Sequence, residues 1–370
     1  MIGIEQLWTQ INKGRRGENI GLSTGIPKLD KVIGGIQPSR YYTIAAQSSA
    51  GKSSLMQFII YNLLRQTVNP HVYFLIFSLE IPESVFLAKL LGLYCAEEFG
   101  IYLTLDDIMS FQQPLNDYAF TCLNKARKWL EEVYPKITIV DKLANAKTIY
   151  RETLNFAEKY GSFEEINGRK IYKSKFEKQL LIGTIDHGLL VQPTEGRTVK
   201  EEIDLTSSFM VTLKNKIGMS WIMLMQQNRD STSMDRRKAG LDEPGLNDIK
   251  STGNVGADSD CVLQVYYPFR EKLTTYRGYK LLGDDGIGRY HRSIIVSKQR
   301  YGIADQVINI NFFGSVGWWK ELASPEEIED YDKYKHESGN IPCKIKQQKI
   351  EDDIPVKDIT VNKQPLTFSF

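Results

Sequence analysis

The chain has 370 residues, of which 42% are hydrophobic and 25% are charged, which is ordinary for a globular protein. It is long enough to bury a sizeable core, in one large α/β domain or in two ordinary ones. The formal net charge of +2 is too small to indicate an anionic partner by itself, so any contact with nucleic acid must come from local patches.

Cysteine usage and hydropathy bear on the cellular compartment. No cysteine belongs to a CxxC pair, which favours reduced thiols over disulfides or a zinc site; the four are Cys95, Cys122, Cys261 and Cys343. The N-terminus lacks a signal-peptide pattern, and the apolar run VYFLIFSLEI is too short to span a membrane. We therefore expect a cytoplasmic protein without a membrane partner, in the cytoplasm of a host cell if a phage encodes it.

Residues 1–19 predict a short helix followed by a basic arm. Ile4, Leu7, Trp8 and Ile11 recur at helical spacing and share one face, and the sequence NKGRRGEN then ends the pattern. Such a face suits packing on another body. The alternative is a frayed terminus that packs on its own domain.

Residues 20–321 predict one α/β domain in which apolar strands alternate with helices. Strands are predicted at 41–46, 71–79, 136–141, 179–186, 220–227, 261–269, 291–299 and 305–312, and helices at 52–66, 82–100, 146–161 and 202–218. Buried strands joined by crossover helices indicate a mostly parallel, twisted sheet with helices on both faces.

Two insertions and a tail stand outside this alternation. Residues 162–179 predict a charged hairpin that turns at Asn167-Gly168, and residues 271–290 predict a mobile loop or a second hairpin. Residues 322–370 are polar, which predicts a flexible linker or tail that ends in the apolar sequence KQPLTFSF.

The sequence AAQSSAGKSS follows the first predicted strand of the domain and has the pattern of a phosphate-binding loop. Gly51, Lys52 and Ser53 match G-x-x-x-x-G-K-S/T, and Ala46 stands where the first glycine is usual. Backbone N–H groups would surround the phosphates, Lys52 would neutralise their charge, and the Ser53 hydroxyl would complete a Mg²⁺ shell. We expect ATP to bind Gln47, Ser48, Ser49, Ala50, Gly51, Lys52, Ser53 and Ser54.

Polar residues at the ends of other strands could complete a hydrolysis site. Asp186 would hold Mg²⁺ through water, and Glu80 would polarise the attacking water. Gln226 could sense the γ-phosphate. Lys298 and Arg300, on one strand face, fit charge stabilisation of a transferring phosphoryl group, in trans from a neighbouring subunit. Each has a plainer alternative, such as a solvated charge at a strand end or a capping amide.

Taken in order, these motifs resemble the RecA-like ATPase domain of DnaB-type replicative helicases of bacteria and phages, over residues 20–320. LSTGIPKLDKVIGGIQPSRYYTIAAQSSAGKSS resembles that family's phosphate loop and the segment before it, where alanine is also common in the first loop position. FSLEIPE resembles the segment of the catalytic glutamate, IDHGLL the Walker B strand with His187 in place of a usual tyrosine, MQQNR the sensor, and SKQRYG the lysine and arginine finger pair. The resemblance implies a RecA-like P-loop NTPase fold and assigns those roles to Glu80, Asp186, Gln226, Lys298 and Arg300.

The resemblance also implies partners. LNDIKSTGNVGADSDCVLQVYY resembles the family's DNA-binding loop, and by position its contacts with single-stranded DNA fall on Lys250, Ser251, Thr252 and Gly253. The family's ring of identical subunits implies a homohexamer.

The N-terminal region departs from the family pattern. The family usually carries an N-terminal collar domain that helps dock primase, whereas this chain has about 20 residues before the core. IEQLWTQI looks like the family's linker helix, which packs on the adjacent subunit. A chain of this kind suits a phage or another mobile element. Primase, a loader or a sliding clamp are candidate partners for the arm or for the C-terminal KQPLTFSF.

Three functions follow as hypotheses. The leading one is an ATP-dependent replicative DNA helicase that translocates on single-stranded DNA and unwinds the duplex. The alternative is a RecA/KaiC-like, DNA-stimulated ATPase that acts as a recombinase, loader or switch without unwinding. A third, a non-enzymatic interaction protein, is disfavoured because Lys52, Ser53, Asp186 and Glu80 are all intact.

Overall fold

A computed structural model of the chain describes residues 2–166, 168–228, 236, 243–250, 254–283 and 286–335. The helices are α1 (Ile2–Arg15), α2 (Pro27–Ile33), α3 (Lys52–Arg65), α4 (Glu83–Phe99), α5 (Leu105–Ile108), α6 (Asp117–Val133), α7 (Ala146–Lys159), α8 (Val199–Ile217) and α9 (Asn254–Asp258). The strands are β1 (Tyr41–Ala46), β2 (Val72–Ser78), β3 (Ile137–Val140), β4 (Gly161–Ile166), β5 (Arg169–Ser174), β6 (Leu180–Asp186), β7 (Ser220–Gln226), β8 (Cys261–Tyr266), β9 (Thr275–Tyr276), β10 (Tyr279–Lys280), β11 (His291–Gln299), β12 (Gln306–Phe313) and β13 (Trp318–Glu321).

Nine of these strands form one sheet in the order β13-β12-β11-β8-β1-β7-β6-β2-β3. The six strands from β8 to β3 are parallel, and β11, β12 and β13 add to the β8 edge in antiparallel pairing. The mostly parallel α/β sheet predicted from the sequence is confirmed.

Helices cover both faces of the sheet, as the sequence also predicted. Successive side chains of a strand point to opposite faces, so Ile44 packs in one core and Ala45 in the other. The first core includes apolar residues of α3, α4 and α6, and the second includes those of α7 and α8. Each large aliphatic side chain that is fully buried in this way contributes roughly 1.5–3 kcal/mol.

The strand order changes direction at β1, which is where open α/β sheets bind their ligands. The chain leaves β1, passes through α3 and returns to the sheet at β2, three places away, while β8 lies on the other side of β1. Ligands of open α/β sheets bind beyond the carboxyl ends of the strands where the strand order changes direction in this way. Ala46 is paired with Gln226, and Ser78 with Asp186, so these four strand ends meet at one edge.

The structure contains elements that the sequence analysis did not predict. Helices α5 and α6 occupy part of the segment between the predicted helix 82–100 and the predicted strand 136–141, and β13 follows the last predicted strand. Helix α6 begins where the Asn116 side chain accepts a hydrogen bond from the Ala119 N–H. The helix predicted at 146–161 ends at Lys159 instead, because Gly161 already begins β4.

Both predicted insertions have regular structure. β4 and β5 form the antiparallel hairpin, with Gly161 paired to Ser174, whereas the predicted turn residue Asn167 lies outside the described residues. The second insertion contains the short β9–β10 pair, and its Tyr276, Tyr279 and Leu281 are buried in a third core cluster.

The C-terminal residues through Lys335 also pack on the domain. Ile328, Tyr331 and Tyr334 pack against this third cluster, and the Asn311 side chain donates a hydrogen bond to the Tyr334 carbonyl. The sequence KQPLTFSF lies outside the described residues.

Two further sequence expectations concern membrane-spanning helices and the cysteines. Within the described ranges, no helix has both the length and the apolar character needed to cross a membrane. Cys95, Cys122 and Cys261 are buried free thiols, and Cys343 lies outside the described residues.

Candidate functional site

The turn between β1 and α3 has the backbone shape of an anion-binding loop. Ser49 and Gly51 have φ values of +59° and +109°, and the Ala50 N–H donates to the Gln47 carbonyl at 3.2 Å. Turns of this kind make concavities lined by backbone N–H groups. Gly51 is required twice over, because its φ is left-handed and because a Cβ there would lie 2.9 Å from the Trp319 ring.

Ala46 has a structural explanation. It is the last residue of β1, fully buried, and its backbone is extended. A position inside a strand does not need positive φ, so alanine serves where a glycine is usual. Lys52, Ser53 and Ser54 begin the 14-residue helix α3, whose positive end faces the turn.

Two arginines that sequence reasoning missed donate hydrogen bonds to backbone carbonyls of this turn. The buried Arg292 donates to the Ala50 carbonyl at 3.0 Å and lies 3.3 Å from the centre of the Tyr267 ring. Arg270 donates to the Ser48 carbonyl. A signal for Arg292 was present, because a cation within the apolar strand HRSIIVS must find buried partners.

Asp186 ends β6 beside the beginning of α3. It is only 2% exposed, and its Oδ1 has no hydrogen-bond partner among the described residues. Burial raises the pKa of this carboxyl group, while a hydrogen bond with Ser53 and the charge of Lys52 oppose that shift. A buried carboxylate oxygen without a partner, next to a serine hydroxyl, fits a hard divalent cation such as Mg²⁺.

Glu80 follows β2 at the same edge and is exposed. Its carboxylate Oε2 lies 3.8 Å from Nε2 of His187, the residue after Asp186. Burial lowers the pKa of His187, and the Lys52 charge adds to the effect, so this imidazole is neutral at pH 7. The structure therefore brings Lys52, Ser53, Asp186 and Glu80 together around the α3 terminus.

Lys89, on α4, is a further cation of this region that sequence reasoning missed. Burial lowers the pKa of its ammonium group, and the charges of Asp186 and Glu80 oppose that shift. No sequence pattern singled it out, because it is one lysine on a helix with an apolar core face.

Gln226 connects the predicted phosphate-binding turn, residues 47–51 between β1 and α3, to the segment before residue 251. Its side-chain Nε2 donates to the Ser48 hydroxyl at 2.7 Å, and its backbone carbonyl accepts the Lys250 N–H at 2.8 Å. Lys250 is exposed, and Ile249 before it is buried. The other predicted DNA-binding residues, Ser251, Thr252 and Gly253, lie outside the described residues.

Lys298 and Arg300 do not join this cluster within one chain. β11 is antiparallel to β8, so Lys298 pairs with Val262 near the start of β8, whereas Ala46 pairs with Val265 near its end. The two cations therefore lie near the amino-terminal ends of the parallel strands. The turn between β1 and α3 lies at the carboxyl-terminal ends. Lys298 Nζ donates to the carbonyls of Gly256 and Ala257 at 2.9 and 2.6 Å, at the end of α9.

Comparison with known proteins matches most of the chain to one family. A sequence profile described as DnaB-like helicase C terminal domain matches residues 21–104 and 120–320. The chain is 24% identical over 315 residues to the replicative DNA helicase DnaB of Pasteurella multocida, which covers 84% of this chain and 57% of that protein. It is 26% identical over 250 residues to the DnaB helicase of Helicobacter pylori strain 26695, with 67% and 44% covered. The chain thus spans about half the length of these curated relatives.

Solved structures show the same fold. One solved structure, of an ATPase domain, superposes with a TM-score of 0.67 at 17% identity, covering 86% of this chain and 99% of that one. A DnaB-like replicative helicase, described with its interactions with primase, superposes with a TM-score of 0.66 at 18% identity, covering 86% and 66%. The architecture is that of RecA-like ATPase domains.

Proposed function

The chain belongs to the DnaB-like helicase C-terminal domain family, and from this premise we propose that it is an ATP-dependent DNA helicase that translocates on single-stranded DNA as a homohexameric ring. One observation carries the proposal beyond family membership. Gln226 contacts the phosphate-binding turn through its side chain and holds Lys250 through its backbone. A change at the nucleotide would therefore be transmitted through Gln226 to the predicted DNA-binding loop.

ATP would bind along residues 47–54, with its phosphates at the α3 terminus and its charge partly neutralised by Lys52. Ser53 and Asp186 would hold Mg²⁺, which when bound screens the charge of the β- and γ-phosphates. The unpartnered Oδ1 of Asp186 and its burial support this assignment.

Glu80 would orient the attacking water and accept its proton as the bond from oxygen to the γ-phosphorus forms and the bond to ADP breaks. Nε2 of His187 lies 3.8 Å from this carboxylate, beyond hydrogen-bond distance, so the oxygen would remain available to the water. Gln226 would lose its contact with the γ-phosphate once phosphate leaves, which frees the segment that includes Lys250.

Lys298 and Arg300 would act on the ATP of the adjacent subunit. Their distance from the phosphate-binding turn of their own chain supports this, because the strand pairing keeps them at the other edge of the sheet. The face of α1 made of Ile4, Leu7, Trp8 and Ile11 is exposed and would pack on a neighbour in the same ring.

Lys250, Ser251, Thr252 and Gly253 would contact the phosphates of single-stranded DNA. Such binding is independent of base sequence and weakens with salt. The division into an arm (1–19), an ATPase domain (20–321) and a tail (322–370) belongs to the same proposal. Primase, a loader or a clamp would bind the arm or the tail, and the protein would work in the cytoplasm, that of a host if a phage encodes it.

The test is strand displacement on a forked DNA with ATP, beside a Lys52→Ala control and a mass measurement of the complex. We expect unwinding by a hexamer and no unwinding by the control. DNA-stimulated hydrolysis without unwinding would instead favour the RecA/KaiC-like alternative. Absence of ATP hydrolysis on any DNA would contradict both.

A further inference from the structure

Asp260 fixes Arg300 at two points. It precedes β8 and is 1% exposed, and its Oδ1 accepts a hydrogen bond from the Arg300 guanidinium at 3.0 Å. The Arg300 backbone N–H donates to the Asp260 carbonyl at 2.8 Å. Both the main chain and the side chain of Arg300 are therefore held by one residue.

The carboxylate of Asp260 is itself held from the interior of the domain. Its Oδ2 accepts hydrogen bonds from Lys214 Nζ at 2.7 Å and from the Tyr41 N–H at 2.9 Å. The Asp260 N–H donates back to the Tyr41 carbonyl at 2.7 Å. Tyr41 begins the central strand β1 and Lys214 lies on α8, so the carboxylate rests on two rigid elements of the domain.

The charges of this cluster leave a positive charge at the exposed end. The Lys214 side chain is 7% exposed and that of Asp260 is 1% exposed, so their opposite charges balance inside the protein. The Arg300 side chain is 45% exposed. A carboxylate alone would neutralise the guanidinium that it orients, whereas Lys214 supplies the compensating charge and the cluster of three keeps a net charge of +1.

We propose that Asp260 is a positioning residue for Arg300, and that Lys214 preserves the charge that Arg300 presents to a phosphate. The proposal rests on the proposed function, in which Arg300 acts on the ATP of the adjacent subunit. A free arginine would lose its rotational freedom at every turnover. An arginine that is oriented beforehand stabilises the transition state without that loss.

The main test removes both buried charges together. Asp260→Asn alone would leave Lys214 buried without a counter-ion, which can prevent folding. The double variant Asp260→Asn/Lys214→Met avoids this. We expect its kcat for ATP hydrolysis on single-stranded DNA to fall by roughly 10- to 100-fold, with the KM for ATP within about threefold of wild type. The matched control is Asp305→Asn, which changes an exposed carboxylate in the turn between β11 and β12 and should retain the wild-type kcat.

A structural role is separated from a positioning role by repeating the double change in an Arg300→Ala background. If Asp260 acts through Arg300, the double change lowers kcat no further there. An equal fall in both backgrounds, or a wild-type kcat of the double variant, would overturn the inference while the helicase proposal stands. A wild-type kcat of Arg300→Ala would overturn both the assigned role of Arg300 and this inference.

A second measurement leaves Asp260 unchanged and so avoids any folding problem. In Arg300→Ala the carboxylate can bind a guanidinium ion from solution in place of the lost side chain. We expect millimolar guanidinium chloride to raise the kcat of Arg300→Ala several-fold over potassium chloride at equal ionic strength. No difference between the two salts would count against the proposal.

Discussion

Arg292 joins the predicted phosphate-binding turn to the antiparallel half of the sheet. It lies on β11, yet it holds a carbonyl of the turn that follows β1 and stacks on Tyr267 after β8. Local sequence predicts the turn itself, because glycine, lysine and serine occur at a diagnostic spacing. It does not predict this support, because the contact joins residues more than 200 positions apart.

The role of Arg292 can be tested by Arg292→Met. We expect a KM for ATP about tenfold higher and an unfolding free energy about 2 kcal/mol lower, because the Ala50 carbonyl loses its donor and the ring contact is lost. Steady-state kinetics and urea denaturation measure the two effects. Arg289→Met, at a neighbouring exposed position, is the control and should match wild type. An unchanged KM for Arg292→Met would mean that the turn keeps its shape without this support.

His291 makes the stability of the domain depend on pH. It is fully buried, and burial, with a smaller effect of the Arg292 charge, lowers the pKa of its imidazole to about 3. The unfolded chain, with a histidine pKa of about 6.5, binds the proton more readily, so stability is lost as the pH falls below that value.

We therefore expect His291 to cost the folded state about 2 kcal/mol at pH 5 relative to pH 7.5, at 1.36 kcal/mol per pKa unit. Urea denaturation of wild type and His291→Leu at both pH values measures this difference. The stability of the variant should fall less between pH 7.5 and pH 5 than that of wild type. A constant difference between wild type and His291→Leu would contradict the assignment.

Among the secondary-structure elements, the strands were predictable where apolar residues follow one another without interruption. The ends of several helices were predictable where a glycine follows. Helix α6 was missed although its buried residues Ala119, Cys122, Ala126, Trp129 and Val133 recur at helical spacing after a capping Asn116. Its fully buried side chains are small or medium-sized apart from Trp129 and are separated by polar residues, so no continuous apolar run marks it. The antiparallel order of β11, β12 and β13 could not be read from local sequence, because pairing direction depends on long-range packing.

Helix α1 exposes an apolar face, which we propose packs on a neighbouring subunit. Ile4, Leu7, Trp8 and Ile11 are exposed along one side of it. We expect Leu7→Ser/Trp8→Ser to reduce the assembled fraction at micromolar concentration while leaving the thermal unfolding midpoint of the isolated chain within about 2 °C, since exposed apolar side chains contribute little to folding.

Sedimentation velocity measures the assembled fraction in that experiment. The control is Glu5→Ser/Thr9→Ser, which changes the polar side of the same helix and should assemble like wild type. Assembly of Leu7→Ser/Trp8→Ser equal to wild type would show that the apolar face does not join subunits.

At the scale of the whole molecule, the proposed site needs two chains, and this can be tested by mixing variants. Lys52→Ala damages one half of a site and Arg300→Ala the other half. In a mixed ring, about a quarter of the interfaces pair an intact Lys52 with an intact Arg300, because the contact is heterologous.

We expect each variant alone to be nearly inactive and an equimolar, co-assembled mixture to regain DNA-stimulated ATP hydrolysis. A coupled phosphate-release assay at constant total protein measures this. A mixture of Lys52→Ala with Lys52→Ala/Arg300→Ala is the control and should stay inactive. Failure of the first mixture to exceed its components, although mass measurement shows mixed rings, would place Arg300 in its own chain's site.

The opposite-edge placement of Lys298 and Arg300 has a consequence for how activity depends on the number of chains. If each chain supplies half of two different sites, an isolated chain has no complete site, and an open row always has one fewer complete site than it has chains. Closing the row into a ring completes the last one. Dilution would then abolish ATP hydrolysis without unfolding the protein. ATP would be hydrolysed only where the local concentration of chains is high enough for them to assemble.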